Sequence, residues 1–199
     1  MLLNALEKAA MNNPIRAACQ RWIEGPALRS IGGPLSGGTA LEVGCGRGVG
    51  VEIILDRFGA GRVEAFDLDP DMVERARRRL AARGDRVRLW TGDAAAIEAS
   101  DAAYDAVFDF GIIHHVPEWR TALGEVRRVL KPGGTFYLEE IYALPLGWGV
   151  TRRLLRHPEA DRFDHASLGR ALADLGFEVA ASRNLLALGG MWAVRAPTA

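Results

Sequence analysis

The sequence predicts an α/β fold, a mostly parallel sheet with helices on both faces. Three observations carry this. The apolar run Thr39–Val43 breaks into glycines at alternate positions, Gly44, Gly46 and Gly48, and a helix-like stretch follows to Phe58. A strand feeding a glycine loop that opens a helix brings backbone close to a nucleotide-like ligand. Further short apolar runs alternate with amphipathic stretches toward the C-terminus. Finally, 199 residues that are 49% hydrophobic and 25% charged suit one domain with a substantial core.

The elements follow in order. Residues from about Asn4 to Glu24 read as helical, with an irregular stretch at Asn12-Asn13-Pro14. Gly25-Pro26, Gly32-Gly33-Pro34 and Gly37-Gly38 read as a linker into the first strand. Thr39–Val43 is strand one, Gly48–Phe58 a helix and Arg62–Asp67 strand two. Asp69 caps the next helix and Pro70 suits its first turn, where a missing N–H costs nothing. Val73, Ala76 and Leu80 share one face of that helix, with arginines over the rest as a solvated surface. Arg86–Thr91 and Asp105–Phe110 are strands three and four. Trp119, Leu123, Val126 and Leu130 recur at helical spacing, and Lys131-Pro132-Gly133-Gly134 ends that helix. Thr135–Ile141 is strand five, a helix through Leu168–Leu175 stops at Gly176, and Phe177–Arg183 and Gly190–Arg195 are the last strands.

Charge and cysteine usage narrow the function. Twenty-five basic residues balance twenty-five acidic ones, so no positive field exists to hold a phosphate backbone, and no nucleic-acid partner is expected. Cys19 and Cys45 make neither a disulfide scaffold nor a metal-ligand set, which fits a reducing, cytoplasmic setting. Glu7 and Lys8 interrupt the first turns, unlike a signal peptide, and the apolar runs 141–150 and 185–194 are too short to span a bilayer. No tight His or carboxylate cluster calls for a metal.

The glycine spacing selects the ligand. A dinucleotide fingerprint needs Gly-x-Gly-x-x-Gly, and the third position here is Val49 or Val51. The pattern is instead Gly-x-Gly-x-Gly with Glu42 two residues ahead, and it resembles motif I of the class I S-adenosylmethionine-dependent methyltransferases. Asp67 closes strand two, 23 residues after Gly44, where a carboxylate can accept both ribose hydroxyls of an adenosine. Gly92-Asp93-Ala94 follows strand three: Asp93 can accept from the adenine amino group, Ala94 can offer its N–H, and Leu68 can pack on the ring.

Downstream segments continue the likeness. Tyr104-Asp105-Ala106-Val107, His114-His115-Val116-Pro117, residues 125–134, Phe163 and Leu172–Phe177 all resemble the family's small-molecule and lipid type (methyltransferase type 11, UbiE-like), so the resemblance covers about residues 39–195. It implies a doubly wound, Rossmann-like seven-stranded sheet with helices on both faces and an antiparallel last strand. It also implies S-adenosyl-L-methionine as methyl donor and S-adenosyl-L-homocysteine as product. On this carry-over, Glu42 holds the methionine end, the Gly44, Gly46 and Gly48 backbone passes beside it, and Phe110 offers a carbonyl. Cys45 is a small filler within the loop rather than a nucleophile.

The donor carries the activated methyl group, so the protein chiefly aligns an acceptor by in-line geometry and excludes water. Asp109, His114 and His115 are the candidate bases, needed only if the acceptor loses a proton. His115 reads as opening a helix, with a structural hydrogen bond as its competing role. Asp109, near the end of a central strand, must be paired, wetted by a cleft, or functional. The expected organisation is one domain: a helical cap over 1–38, a core over 39–199 and a lid insertion over 142–164. The lid's aromatic and basic residues suit an apolar or anionic acceptor, a small molecule or lipid. Contact with a membrane surface and a solvated amphipathic lid are the competing readings. A protein that binds the donor without transfer and a nicotinamide-dependent oxidoreductase are the alternatives.

Overall fold

The computed structural model describes residues 13–142, 161–185 and 188–198. A seven-stranded sheet runs in the order β3-β2-β1-β4-β5-β7-β6. Its strands are β1 Thr39–Val43, β2 Arg62–Asp67, β3 Val87–Thr91, β4 Tyr104–Phe110, β5 Leu130–Ile141, β6 Glu178–Leu185 and β7 Gly189–Arg195. The first five are parallel, and β7 pairs antiparallel with both β5 and β6. The expected doubly wound sheet with a terminal hairpin is therefore the fold.

Helices cover both faces. On one side lie α1, continuous through Pro14–Cys19, Gln20–Glu24 and Gly25–Gly32, then α2, Val49–Ile53 extended by Ile54–Phe58, and α3, Pro70–Leu80. On the other lie α4, Trp119–Val129, and α5, His165–Asp174. Two buried clusters correspond to the two faces: Phe58, Phe108 and Tyr137 belong to one, and Leu123, Phe136 and Leu168 to the other. The strands at the centre are buried on both sides, which is why their sequences run apolar rather than alternating. The Phe108 ring stacks on Tyr137 with centroids 4.6 Å apart and meets the edge of Phe58 at 4.7 Å.

Two sequence expectations are corrected. Gly25-Pro26 is not a linker: it lies inside α1, directly after the wide π-helical turn Gln20–Glu24. Pro26 falls in the first turn of the following α segment, where its absent N–H breaks no bond that the π turn has not already displaced. Lys131–Gly134 does not separate helix from strand either. β5 begins at Leu130 opposite Tyr104 and resumes at Thr135 opposite Ala106, so the turn bulges out of a continuous strand. Other boundaries differ from the sequence reading by a residue or two, as helix and strand ends do. Residues 4–12 of the expected first helix and 143–160 of the expected lid lie outside the described residues.

Phe108→Ala removes a ring packed between Phe58, Phe110 and Tyr137. It should cost about 3–5 kcal/mol in urea unfolding with an unchanged m-value.

Candidate active site

A cleft opens at the carboxyl ends of β1, β2 and β4, with α1 forming part of its wall. It is an open cleft rather than a closed cavity, lined by the glycine loop, the ends of β2 and β4 and residues of α1. The sheet dictates this position, since strand order reverses between β1 and β4 and leaves a crevice there.

The glycine loop is fixed by backbone bonds and one carboxylate. Cys45 N–H donates to the Phe66 carbonyl at 2.8 Å, and Gly48 N–H donates to the Cys45 carbonyl at 2.8 Å. Asp67 then ties β2 to the loop: its Oδ2 accepts from Gly46 N–H at 2.8 Å and its Oδ1 from Asp69 N–H at 2.9 Å. A carboxylate offers about four acceptor positions, so a side chain of this type at the cleft wall suits a ligand's hydroxyls as well as the loop. Gly44 has φ +70°, and a Cβ there would fall 2.5 Å from Ile112 Cγ1. Only glycine combines that backbone with that contact.

Glu42 is the unusual group. It is 1% exposed and lines the cleft. A Val51 N–H supports the carboxylate, while Oε2 accepts nothing from any described residue. The side chain fits only because Gly50 lacks a Cβ, which would lie 1.9 Å from Oε1. Burial, then the nearby Asp67 and Asp109 charges, push its carboxyl well above the usual range. A buried carboxylate with an unused oxygen at a cleft wall is a socket for a cationic group, so these residues fit a donor carrying an ammonium. Burial likewise pushes the Cys45 thiol up, consistent with a filler rather than a nucleophile.

The remaining predicted residues divide into two sets. Gly44, Cys45, Gly46, Asp67, Leu68, Asp93, Ala94, Phe110 and His115 line the cleft with Glu42. Asp93 Oδ1 accepts the Ala95 N–H at 2.9 Å, an Asx-type turn that presents this segment to the cleft. Leu68 is 40% exposed, an apolar surface open to a flat ring. Gly48 faces Leu80 and starts α2 instead. His115 closes the short 3₁₀ turn Ile113–His115 rather than opening a helix, because α4 starts only at Trp119. Asp109 and His114 sit behind the wall, where both meet Glu140 of β5. Sequence reasoning passed over Glu140, although Glu139-Glu140 inside an otherwise apolar buried strand was a readable signal. It also passed over Arg16 and Gln20, which line the cleft from α1; their segment carries no motif, and only tertiary packing brings it there.

A seven-stranded doubly wound sheet with a terminal antiparallel hairpin and an acidic glycine loop at its switch point defines the class I methyltransferase type of protein. The comparisons agree. A family model described as a methyltransferase domain matches residues 40–134. The demethylmenaquinone methyltransferase of Thermus thermophilus is 36% identical over 116 residues, covering 57% of this chain and 52% of that protein. The ubiquinone/menaquinone biosynthesis C-methyltransferase UbiE of Paracoccus denitrificans is 30% identical over 150 residues, covering 73% and 55%. Among solved structures, an S-adenosylmethionine-dependent methyltransferase from Aquifex aeolicus superposes with TM-score 0.74 at 20% identity, covering 96% of this chain and 97% of that one. Residues 40–134 thus form a methyltransferase domain, and the chain is similar to S-adenosylmethionine-dependent methyltransferases of class I. It spans about half the length of the curated relatives it matches.

The acids around the cleft give stability a definite pH slope. Burial holds Glu42, Asp109 and Glu139 well above their usual values and Glu140 at about 7, against 4.5 for an ordinary glutamate. Because these folded-state values are raised, their contribution is complete below the ordinary values, 4.5 for the glutamates and 3.8 for Asp109, and is lost as pH climbs through the folded values. Scanning calorimetry should show Tm falling from about pH 4.5 to 7 and beyond, with a shallower fall in Glu42→Gln.

Proposed function

We propose that this chain transfers a methyl group from S-adenosyl-L-methionine to a small-molecule or lipid, quinone-like acceptor. The carrying observation is the pair formed by Glu42, with its unused buried oxygen, and Asp67, across the glycine loop. Glu42 would hold the donor's ammonium and Asp67 its ribose, with Asp93 and Ala94 at the adenine and Leu68 against its face. When bound, the sulfonium supplies an activated methyl group and departs as a thioether. The protein's share is to orient acceptor and donor and to exclude water.

The acceptor class rests on two supports. The wall beyond the loop is largely apolar, with Ala17, Ile112, Val116 and Pro117. Relatives whose names state an acceptor include the demethylmenaquinone enzyme and a fatty-acid O-methyltransferase of Mycolicibacterium smegmatis. The balanced charge of the chain argues against nucleic acid. Among the described residues no helix is long and apolar enough to cross a membrane.

Titration calorimetry should show binding of S-adenosylmethionine and S-adenosylhomocysteine but not NAD. Asp67→Ala should weaken binding by about 1.5–3 kcal/mol, the range for charge-assisted hydrogen bonds; unchanged affinity removes that role. Because the ammonium needs an ionised Glu42, donor binding should release protons and tighten with rising pH, and Glu42→Gln should abolish both effects. Incorporation of labelled methyl into a metabolite extract separates a transferase from a protein that only binds the donor.

A further inference from the structure

The outer face of α1 is built the wrong way round for a helix in water. Pro14, Ile15, Ala18, Trp22 and Ile23 are exposed. Ile15, Trp22 and Ile23, at 76%, 67% and 63%, are the most exposed large hydrophobic side chains among the described residues. Positions 15, 18 and 22 follow the three-and-four spacing of one helical stripe. The polar residues of those turns are taken up by the protein itself: Arg16 pairs with Glu24, Arg21 with Glu52 of α2, and Gln20 lines the cleft. A surface helix ordinarily does the reverse, since apolar area left in water forgoes the burial that stabilises folding. Single exposed hydrophobic residues need no explanation, but a stripe of them with the charges engaged elsewhere does.

Basic charge lies beside this stripe. Arg57 of α2 stands over the Trp22 ring, 4.5 Å from its centroid. α1, α2 and α3 form one layer, joined where Glu52 Oε2 accepts from Arg21 and, at 3.3 Å, from Arg79. The three helices carry eight arginines and five acids, so the layer is positive although the chain as a whole is neutral. α3 exposes Arg75, Arg77, Arg78 and Arg79 against Asp71 and Glu74. Like charges also crowd toward the cleft: burial, then Arg79 and Arg75, lower the Arg47 guanidinium at its wall. Arg47 in turn donates to the Asn13 carbonyl at 2.9 Å, tying the cleft wall to the start of α1.

We propose that the face formed by α1, α2 and α3 docks on an anionic lipid bilayer, with Ile15, Trp22 and Ile23 entering the headgroup region and the arginines meeting lipid phosphates. The proposal goes beyond the methyl-transfer reading and stands whether or not a methyl group is transferred. An apolar stripe that carries a tryptophan and is bordered by arginines suits the boundary between headgroups and acyl chains. Each arginine near an anionic surface adds to the attraction, and its planar guanidinium matches a phosphate. A second copy fits less well. It would bring the same positive layer against itself, and five apolar residues fall short of the roughly 20–30 residues a side of a stable protein interface. Docking also bears on the cleft. Arg16, Ala17 and Gln20 line it from another side of the same helix, so the bilayer lies within one helix diameter, about 10–12 Å, of the cleft wall.

The test uses the full chain and vesicles of phosphatidylcholine with and without phosphatidylglycerol, read by flotation and by tryptophan fluorescence. The chain should float with the anionic vesicles and come off them as salt rises. The double variant Trp22→Ser, Ile23→Ser should bind them about tenfold more weakly or worse, with a circular dichroism spectrum like the parent's. Arg75→Gln and Arg78→Gln should each cost about fivefold. Brominated lipid should quench the parent's emission, and that quenching should be lost in Trp22→Phe, a variant that keeps an aromatic ring in place. No binding to anionic vesicles overturns the proposal, as does equal binding to phosphatidylcholine alone. Full binding by the double variant, or quenching that survives in Trp22→Phe, overturns it too. A dimer in sedimentation velocity that the double variant abolishes, with no vesicle binding, overturns it in favour of a second copy. None of the substituted side chains lines the cleft, so S-adenosylmethionine binding judges the methyl-transfer reading separately.

Discussion

The hydrogen bond from Gly46 N–H to Asp67 Oδ2, 2.8 Å long, joins the glycine loop after β1 to the end of β2. The rest of the cleft depends on it. Without that tether, three glycines with positive φ would leave the loop many conformations, and ordering them on a ligand would cost binding free energy. With it, the loop is held before any ligand arrives. The same carboxylate accepts the Asp69 N–H, and Asp69 in turn caps α3 through Asp71 N–H at 3.0 Å. One side chain thus fixes the loop, the end of β2 and the start of the next helix.

A parallel sheet covered on both faces leaves little room for charge except near the carboxyl ends of its strands. The buried acids among the described residues gather there: Glu42, Asp109 and Glu140 are each the last residue but one of their strands, Asp69 follows β2, and all four are less than 9% exposed. Their side chains depart on opposite faces. Glu42 of β1 points toward Gly50 of α2 and the cleft, whereas Asp109 and Glu140 point toward His114 behind it. Strand pleating therefore separates the acid that faces the cleft from the acids behind it, although the two sets lie in adjacent strands. Burial acts on both sets alike, raising Glu42 well above the usual range and Glu140 to about 7.

Much of this was readable before any coordinates. Strand one, strand two and the helix from Pro70 fall where pattern and capping put them, because local signals and tertiary packing agree there. The linker at Gly25-Pro26 was misread because glycine and proline ordinarily punctuate structure, and a π turn that accommodates them leaves no sequence signature. Glu140 was overlooked for a different reason. Its partner His114 is 26 residues away in sequence, and only the register of β4 against β5 makes them neighbours.

The sequence by itself determined the order of elements, the glycine loop and the acid that follows it, because these depend on residues close together along the chain. Through the family likeness it also pointed to the kind of ligand, since the glycine spacing and the Gly44–Asp67 interval that carry that likeness are one-dimensional quantities. The tertiary structure alone decided which acids line the cleft and which lie behind it. It alone brought Arg16 and Gln20 to the wall and built a histidine–carboxylate pair from two strands and a turn. The physical reason is that a side chain's face, burial and partner are set by strand register and helix packing, contacts between segments far apart in the chain.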